Sequence, residues 1–190
     1  KAWAGGAGLA GNGREGWLTG ARRPHWIWGP RDEHLIPRLI DRARSGKLRQ
    51  VGDGKNLVDM IYVENAAAAH LQAADALTKG SPVAGHAYFI SQGEPVNCWD
   101  WINEILALAE LPPIARTISA RAAWNVGRVL EGIWSMLRRQ DEPRMTRFLA
   151  AQLSTSHYFN ISAAVRDFGY TPEVSTAEGM RRLGEWLRRD

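Results

Sequence analysis

With 190 residues, 45% of them hydrophobic and 23% charged, the chain suits one well-buried domain and is unlike a disordered or fibrous sequence. Its net charge of +4 comes largely from arginine pairs, Arg138-Arg139, Arg181-Arg182 and Arg188-Arg189, at expected helix ends where they complement the helix dipole, which argues against a dedicated nucleic-acid binder. A single cysteine, Cys98, excludes an intramolecular disulfide and a thiolate zinc site and fits a cytoplasmic setting, while no apolar run nears the ~20 residues of a membrane span.

The chain opens on Lys1, with no signal pattern, and is expected to be a portion cut from a longer protein. Residues 6–11 read GAGLAG, a literal G-x-G-x-x-G. A dinucleotide fingerprint needs a strand leading into the glycine turn and a helix N-terminus facing the pyrophosphate. Here KAWAG precedes the motif and NGREG follows it, so neither part is in place. Asp32 lies about 20 residues downstream, the distance of a ribose-binding acid, but it sits in the loop sequence GPRDEH. The motif reads instead as a poor helix or loop rich in Gly and Ala.

Residues 17–28, WLTGARRPHWIW, predict a strand leading into a loop at Gly29-Pro30. A helix is expected over residues 34–45, with Ile36, Leu39, Ile40 and Ala43 on one face. A short strand at 48–51 and the turn GDGKN precede LVDMIYV, 57–63, whose apolar run predicts a strand covered on both faces. Asn65 is expected to cap the following helix, and HAYFIS, 86–91, reads as another buried strand. Asn97 should cap a helix bearing Ile102, Ile105, Leu106 and Ala109, stopped by Pro112-Pro113. Alternating strands and helices over 17–110 argue for an α/β architecture with a parallel component.

From 119 onward the pattern is mostly helical. Val126, Val129, Leu130, Ile133 and Leu137 form an apolar stripe, with Arg128, Glu131 and Arg138 off it. Ser162 is expected to cap a short helix ending at Gly169, and Ser175-Thr-Ala-Glu178 is a capping box opening the last helix. The five histidines form no H-x-x-x-H pair and no G-x-S-x-G elbow occurs, so neither a metal site nor a serine nucleophile is indicated.

Three blocks in order, RPHWIWGPRD, GDGKNLVDMIYVENAAAAHLQAADAL and NISAAVRDFGYTPEVSTAEGMRRLGEWL, resemble the C-terminal half of the 3β-hydroxysteroid dehydrogenase group of extended short-chain dehydrogenases/reductases, relatives of the sugar-nucleotide epimerases and dehydratases. The resemblance implies the C-terminal part of a Rossmann-like doubly wound sheet over 17–110, with a mostly helical substrate-covering part over 119–190. It places Lys1 on the family's catalytic lysine, which holds the nicotinamide ribose and lowers the pKa of a partner tyrosine. GAGLAG then falls in the helix behind that lysine, where the three interior glycines Gly5, Gly6 and Gly8 lose about 1 kcal/mol each relative to Ala. Gly20 and Arg22 stand where the family has buried aliphatics.

By the same resemblance the backbone of Pro24 and His25 lies against the nicotinamide, and Trp26, Trp28, Arg31 and Asp59 serve the substrate. For Trp26 and Trp28 core packing is an equal reading, and Asp59 has the further option of fixing the loop after Pro30. Trp124, Trp134 and Phe148 in the 122–153 stretch suit an apolar lid over a sterol-like or long-chain acyl substrate, or packing onto the sheet.

The implied reaction is hydride exchange between NAD or NADP and a 3-hydroxy or 3-oxo group, with tyrosine as acid/base. Neither that tyrosine nor the phosphate turn is present in these residues, so this chain alone is expected not to turn over. The expected partners are an apolar small molecule, the N-terminal half of the same protein and a second copy in a homodimer. The alternatives are a non-catalytic fragment or interaction module, and a basic protein that touches a membrane surface or nucleic acid through the 122–139 helix.

Overall fold

The computed structural model describes residues 2–189. The first half of the chain runs α1 (Ala2–Ala10), β1 (Ala21–Pro24), β2 (Ile27–Trp28), α2 (Leu35–Arg44), β3 (Gln50–Val51), β4 (Leu57–Val58), β5 (Ile61–Tyr62), α3 (Val63–Asp75) and β6 (Ala87–Ile90). The second half runs β7 (Val96–Asn97), α4 (Cys98–Leu108), β8 (Thr117–Ile118), α5 (Ala120–Met136), α6 (Arg147–Ser154), α7 (Ser162–Phe168) and α8 (Thr176–Leu187). Residues cluster into two compact units whose segments alternate along the chain. The first gathers residues 2–31, Asp59–Pro95 and Tyr158–Trp186, and the second Asp32–Val58, Val96–His157 and residues 187–189. The boundary expected between 110 and 119 thus lies inside the second unit, and α7 and α8 belong with the strands of the first.

In the first unit GAGLAG is part of helix α1 and of the turn that ends it, as the Gly/Ala-rich composition suggests. The stretch expected as one strand over 17–28 is shorter and broken: β1 pairs parallel with β6, from Ala21↔Ala87 to Pro24↔Ile90, whereas β2 pairs parallel with β5. Trp17 lies outside both and is exposed. The 57–63 run is likewise not one strand. Leu57–Val58 pairs antiparallel with β7 in the second unit, Ile61–Tyr62 pairs with β2, and Val63 already opens α3.

The first unit's core follows from spacing. Ala66, Ala69 and Ala73 put a strip of small side chains along α3, so the helix lies close against Ile61, Tyr88 and Ile90, with Phe168 and Tyr170 completing the cluster. β6 buries Tyr88 and Ile90 but leaves Ala87 and Phe89 exposed, so it is covered on one face rather than two. Asn65 is not a cap: the helix begins two residues earlier, and Asn65 is buried within it. Asn160 rather than Ser162 supplies the acceptor ahead of α7, bonding Ser162 N at 2.9 Å, and Gly169 ends that helix at φ 71°. Ser175 Oγ accepts from Glu178 N as the capping box requires.

In the second unit Asn97 caps α4 as expected, its Oδ1 accepting from Trp99 N and Asp100 N. The apolar face of α4, with Ile102, Ile105 and Leu106 buried, packs against α2, which contributes Ile36 and Ile40. β3 pairs parallel with β8. Ser119 and Thr146 cap α5 and α6, and the two helices pack so closely that a Cβ on Gly127 would lie 2.5 Å from the Thr146 carbonyl carbon. The apolar stripe of α5 does not face α6: Val126, Val129, Ile133 and Leu137 are exposed, because α5 meets α6 through Ala123 and Gly127. Among the described residues no helix is long and apolar enough to cross a membrane.

Candidate active site

β1 delivers the chain to the end of a parallel pair at Pro24, and His25 is held there from two sides. Its backbone N–H donates to Ile90 O at 3.1 Å, and its Nδ1 lies 2.7 Å from Asp59 O. A carbonyl can only accept, so Nδ1 carries the proton. The imidazole stacks on Trp26, with centroids 5.5 Å apart, and meets Phe159 edge-on at 5.0 Å. Phe159 in turn stacks flat on Phe89 at 4.2 Å, so one aromatic series lines this end of the strands.

Trp26 takes φ 42°, in the left-handed region that bulky residues avoid. The reason is local. The chain stops pairing with β6 at Pro24 and starts pairing with β5 at Ile27, and Trp26 is the joint, its carbonyl accepting from Ile61 N at 3.3 Å. Two residues later the chain passes so near the start of α3 that a Cβ on Gly29 would come within 2.7 Å of Val63 Cγ1, so Gly is required there.

Asp59 is buried, and its carboxylate accepts from Ser91 Oγ at 2.7 Å and from Gly93 N at 3.1 Å. Gly93 turns at φ 77° to bring its N–H round. Through its own carbonyl Asp59 also fixes the His25 ring, so this one residue ties the 91–93 elbow to the end of β1. Tyr170 donates to Ser91 O at 2.8 Å, and burial, with the nearby Asp59 charge, raises its pKa. Behind the elbow, Asn65 Oδ1 accepts from the backbone N–H of Glu173 and Val174, while its Nδ2 donates to Val174 O and Gln92 Oε1. Beside Asp59 and Gly93 opens a cleft of about 480 Å³ walled by Phe159, Ile161, Val165 and Arg166.

A family model described as 3-beta hydroxysteroid dehydrogenase/isomerase matches residues 1–115. The chain belongs to this 3-beta hydroxysteroid dehydrogenase/isomerase family. Its similarity to relatives in the family continues past residue 115. A protein of Stenotrophomonas maltophilia named 2-alkyl-3-oxoalkanoate reductase is 50% identical over 165 residues, 87% of this chain and 50% of the relative. Mouse sterol-4-alpha-carboxylate 3-dehydrogenase, decarboxylating, is 34% identical over 172 residues, 89% of this chain and 48% of that protein. The chain therefore spans about half the length of the relatives it matches. A dTDP-glucose 4,6-dehydratase of Streptomyces venezuelae, solved with NAD bound, superimposes over 100% of this chain and 50% of its own with a TM-score of 0.66 at 19% identity, a likeness of fold.

Of the residues singled out by the resemblance to this family, the structure brings Pro24, His25, Trp26 and Asp59 together at the end of β1. Lys1 lies outside the described residues. Trp28 is not at a surface: it is buried edge-on against Tyr62, with its ring 2.9 Å from where a Cβ on Gly179 would stand, so packing rather than substrate contact accounts for it. Arg31 is exposed at φ 65°, at the end of the first unit's opening segment. The Asp59 carboxylate is committed to Ser91 and Gly93. Sequence reasoning missed Ser91, Gln92, Gly93 and Phe159. A signal existed for the first three, since a Ser-Gln-Gly run directly after an apolar strand marks a turn with side-chain bonds of its own.

Proposed function

We propose that this chain is the C-terminal portion of an NAD(P)-dependent oxidoreductase that exchanges hydride at the 3-hydroxy or 3-oxo carbon of a long-chain or steroid-like apolar substrate. The observation that carries the reading is the locked Pro24–His25 turn at the carboxyl end of the parallel pair β1 and β6, the place where open α/β sheets bind their ligands. Family membership and the names of the relatives, which specify 3-oxo acids and sterols, support it.

The residues present fit the nicotinamide end of the cofactor. Pro24 has no N–H, and the His25 N–H is taken by Ile90, so the turn offers carbonyl acceptors and no backbone donor. By strand alternation the Pro24 carbonyl points away from β6, where a carboxamide N–H₂ would find it. The pyrophosphate end has no counterpart among the described residues, since GAGLAG lies within and just after α1. The bound nicotinamide supplies or accepts the hydride. Asp59 and Ser91 act as positioning residues, holding the His25 plane so that the aromatic series from Trp26 to Phe89 presents an apolar wall.

The test is an assay of the intact gene product that carries these residues, with NADH or NADPH and a 2-alkyl-3-oxoalkanoate or a 3-oxosteroid, followed by nicotinamide absorbance. Turnover lost on Lys1→Ala supports the proposal, and turnover unaffected by that change refutes it. The 190-residue chain by itself is expected to be inactive, because a phenol with pKa near 10 must be held beside that lysine to work near neutral pH.

A further inference from the structure

Apolar surface leads away from His25 in two directions. Trp26 stacks on the imidazole with the planes 15° apart, and Phe159 meets it at 68°, edge to face. Past Phe159 the surface opens into the cleft of about 480 Å³, whose lining continues with Pro95, Ile161 and Val165. The cleft shares Phe159 and Asp59 with the site, and both of these residues touch His25. All of them belong to the first unit.

The walls of the cleft are fixed from behind. Phe89 backs Phe159 face to face at 4.2 Å, and Ile161 comes so close to the elbow that a Cβ on Gly93 would stand 3.0 Å from its Cδ1. The charges on the cleft are spoken for. Ser91 and Gly93 take up the Asp59 carboxylate, and Arg166 is paired with Asp167 through Nε and Nη2. Hydrocarbon contact is thus what the cleft offers, at a volume within the roughly 300–1,000 Å³ of small-molecule sites.

A substrate whose reacting carbon stands beside the Pro24–His25 turn meets both directions, over Trp26 and past Phe159. A single chain fills one of them, and a rigid steroid has no second arm to place. We propose that the cleft past Phe159 receives the second hydrocarbon arm of a branched 3-oxo or 3-hydroxy acid, one with long chains on both C2 and C3, and selects such acids over unbranched ones. This rests on the reaction proposed above and adds the shape of the substrate to it.

The experiment is calorimetric titration of the intact gene product, with NAD or NADP present, by three acids that lack the 3-oxygen and cannot react: 2-octyldecanoate, 2-methyldecanoate and decanoate. The octyl acid is expected to bind at least about tenfold tighter than the methyl acid, the worth of roughly two buried methylenes. Val165 lines the cleft and is 46% exposed, so α7 bears a larger or a charged side chain there. Val165→Trp fills the cleft and Val165→Asp makes it polar, and each should bring the ratio down to about twofold. Leu71→Trp, at an exposed leucine on α3 outside the cleft, should keep the full ratio.

Circular dichroism checks the fold of each variant, and the acid series on the unaltered protein needs no variant at all. Equal affinity for the octyl and methyl acids, or a preference that survives both Val165 changes, overturns the proposal. Because binding is read without turnover, the two readings fail separately: an arm preference without nicotinamide oxidation by 3-oxo acids sinks the reaction alone, and oxidation without an arm preference sinks the cleft alone.

Discussion

Arg22 stands in β1 opposite Tyr88, and the Nε and Nη1 of its guanidinium are buried with no acceptor. An ionised donor withdrawn from water without a partner is destabilising by about 1–3 kcal/mol or more. Arg22→Leu is therefore expected to raise the urea midpoint of unfolding, and a lower midpoint would show that the guanidinium is better served than its geometry indicates. Asn65 is the opposite case. Its Oδ1 accepts from the backbone N–H groups of Glu173 and Val174, and its Nδ2 shares the Val174 carbonyl with Gln92 Nε2, so Asn65→Ala removes the acceptor of both N–H groups and a loss of about 1–3 kcal/mol in unfolding free energy is expected by the same measurement. Sequence reasoning could see that Asn65 opens a helical stretch, but its partners lie 108 and 109 residues away, beyond the reach of any local rule.

At the scale of elements, what was legible followed from local chemistry. The Asn97 cap, the Gly169 stop, the Ser175 box and the alternation of strands and helices are each written in a few neighbouring residues. What was not legible depended on partner choice. Residues 57–63 have the composition of a strand throughout, yet Asp59 breaks the run to bind Ser91 and Gly93, and the two ends pair with different strands. The stripe on α5 has the period of a core-facing helix, and only the close approach at Gly127 reveals that the core lies on another side. Helix α1 yields a direct prediction: Gly5, Gly6 and Gly8 have nothing within 4 Å of an added Cβ, so Ala at the three positions stabilises the helix without a clash. The gain expected is roughly 1 kcal/mol per site, read as a rise in the thermal midpoint, and an unchanged midpoint would mean that α1 unfolds independently of the rest.

On the scale of the whole molecule, each compact unit holds buried acids that keep their protons well into alkali. In the first unit, burial and the Asp167 carboxylate push the Tyr88 phenol up to about 12. In the second, burial pushes the Cys98 thiol up to about 12. In the unfolded chain a thiol ionises near 8.5 and a tyrosine near 10. Above those values the unfolded state binds fewer protons than the folded one, so stability falls as pH rises from about 9 to about 12. Urea midpoints should decline through that window, and Cys98→Ala should flatten the decline at its lower end; a midpoint constant to pH 11 would contradict both assignments.

Among the described residues β1 makes its ladder with β6 alone: Ala21 and His25 direct their N–H groups to β6, and Arg22, by alternation, points its own the other way. That edge offers the Arg22 N–H and the carbonyls of Arg22 and Pro24, and backbone groups without a mate are adhesive. Handled by itself at high concentration, this polypeptide should thicken into oligomers by adding backbone to backbone along that rim, and a short peptide that lays a strand there should keep it dispersed.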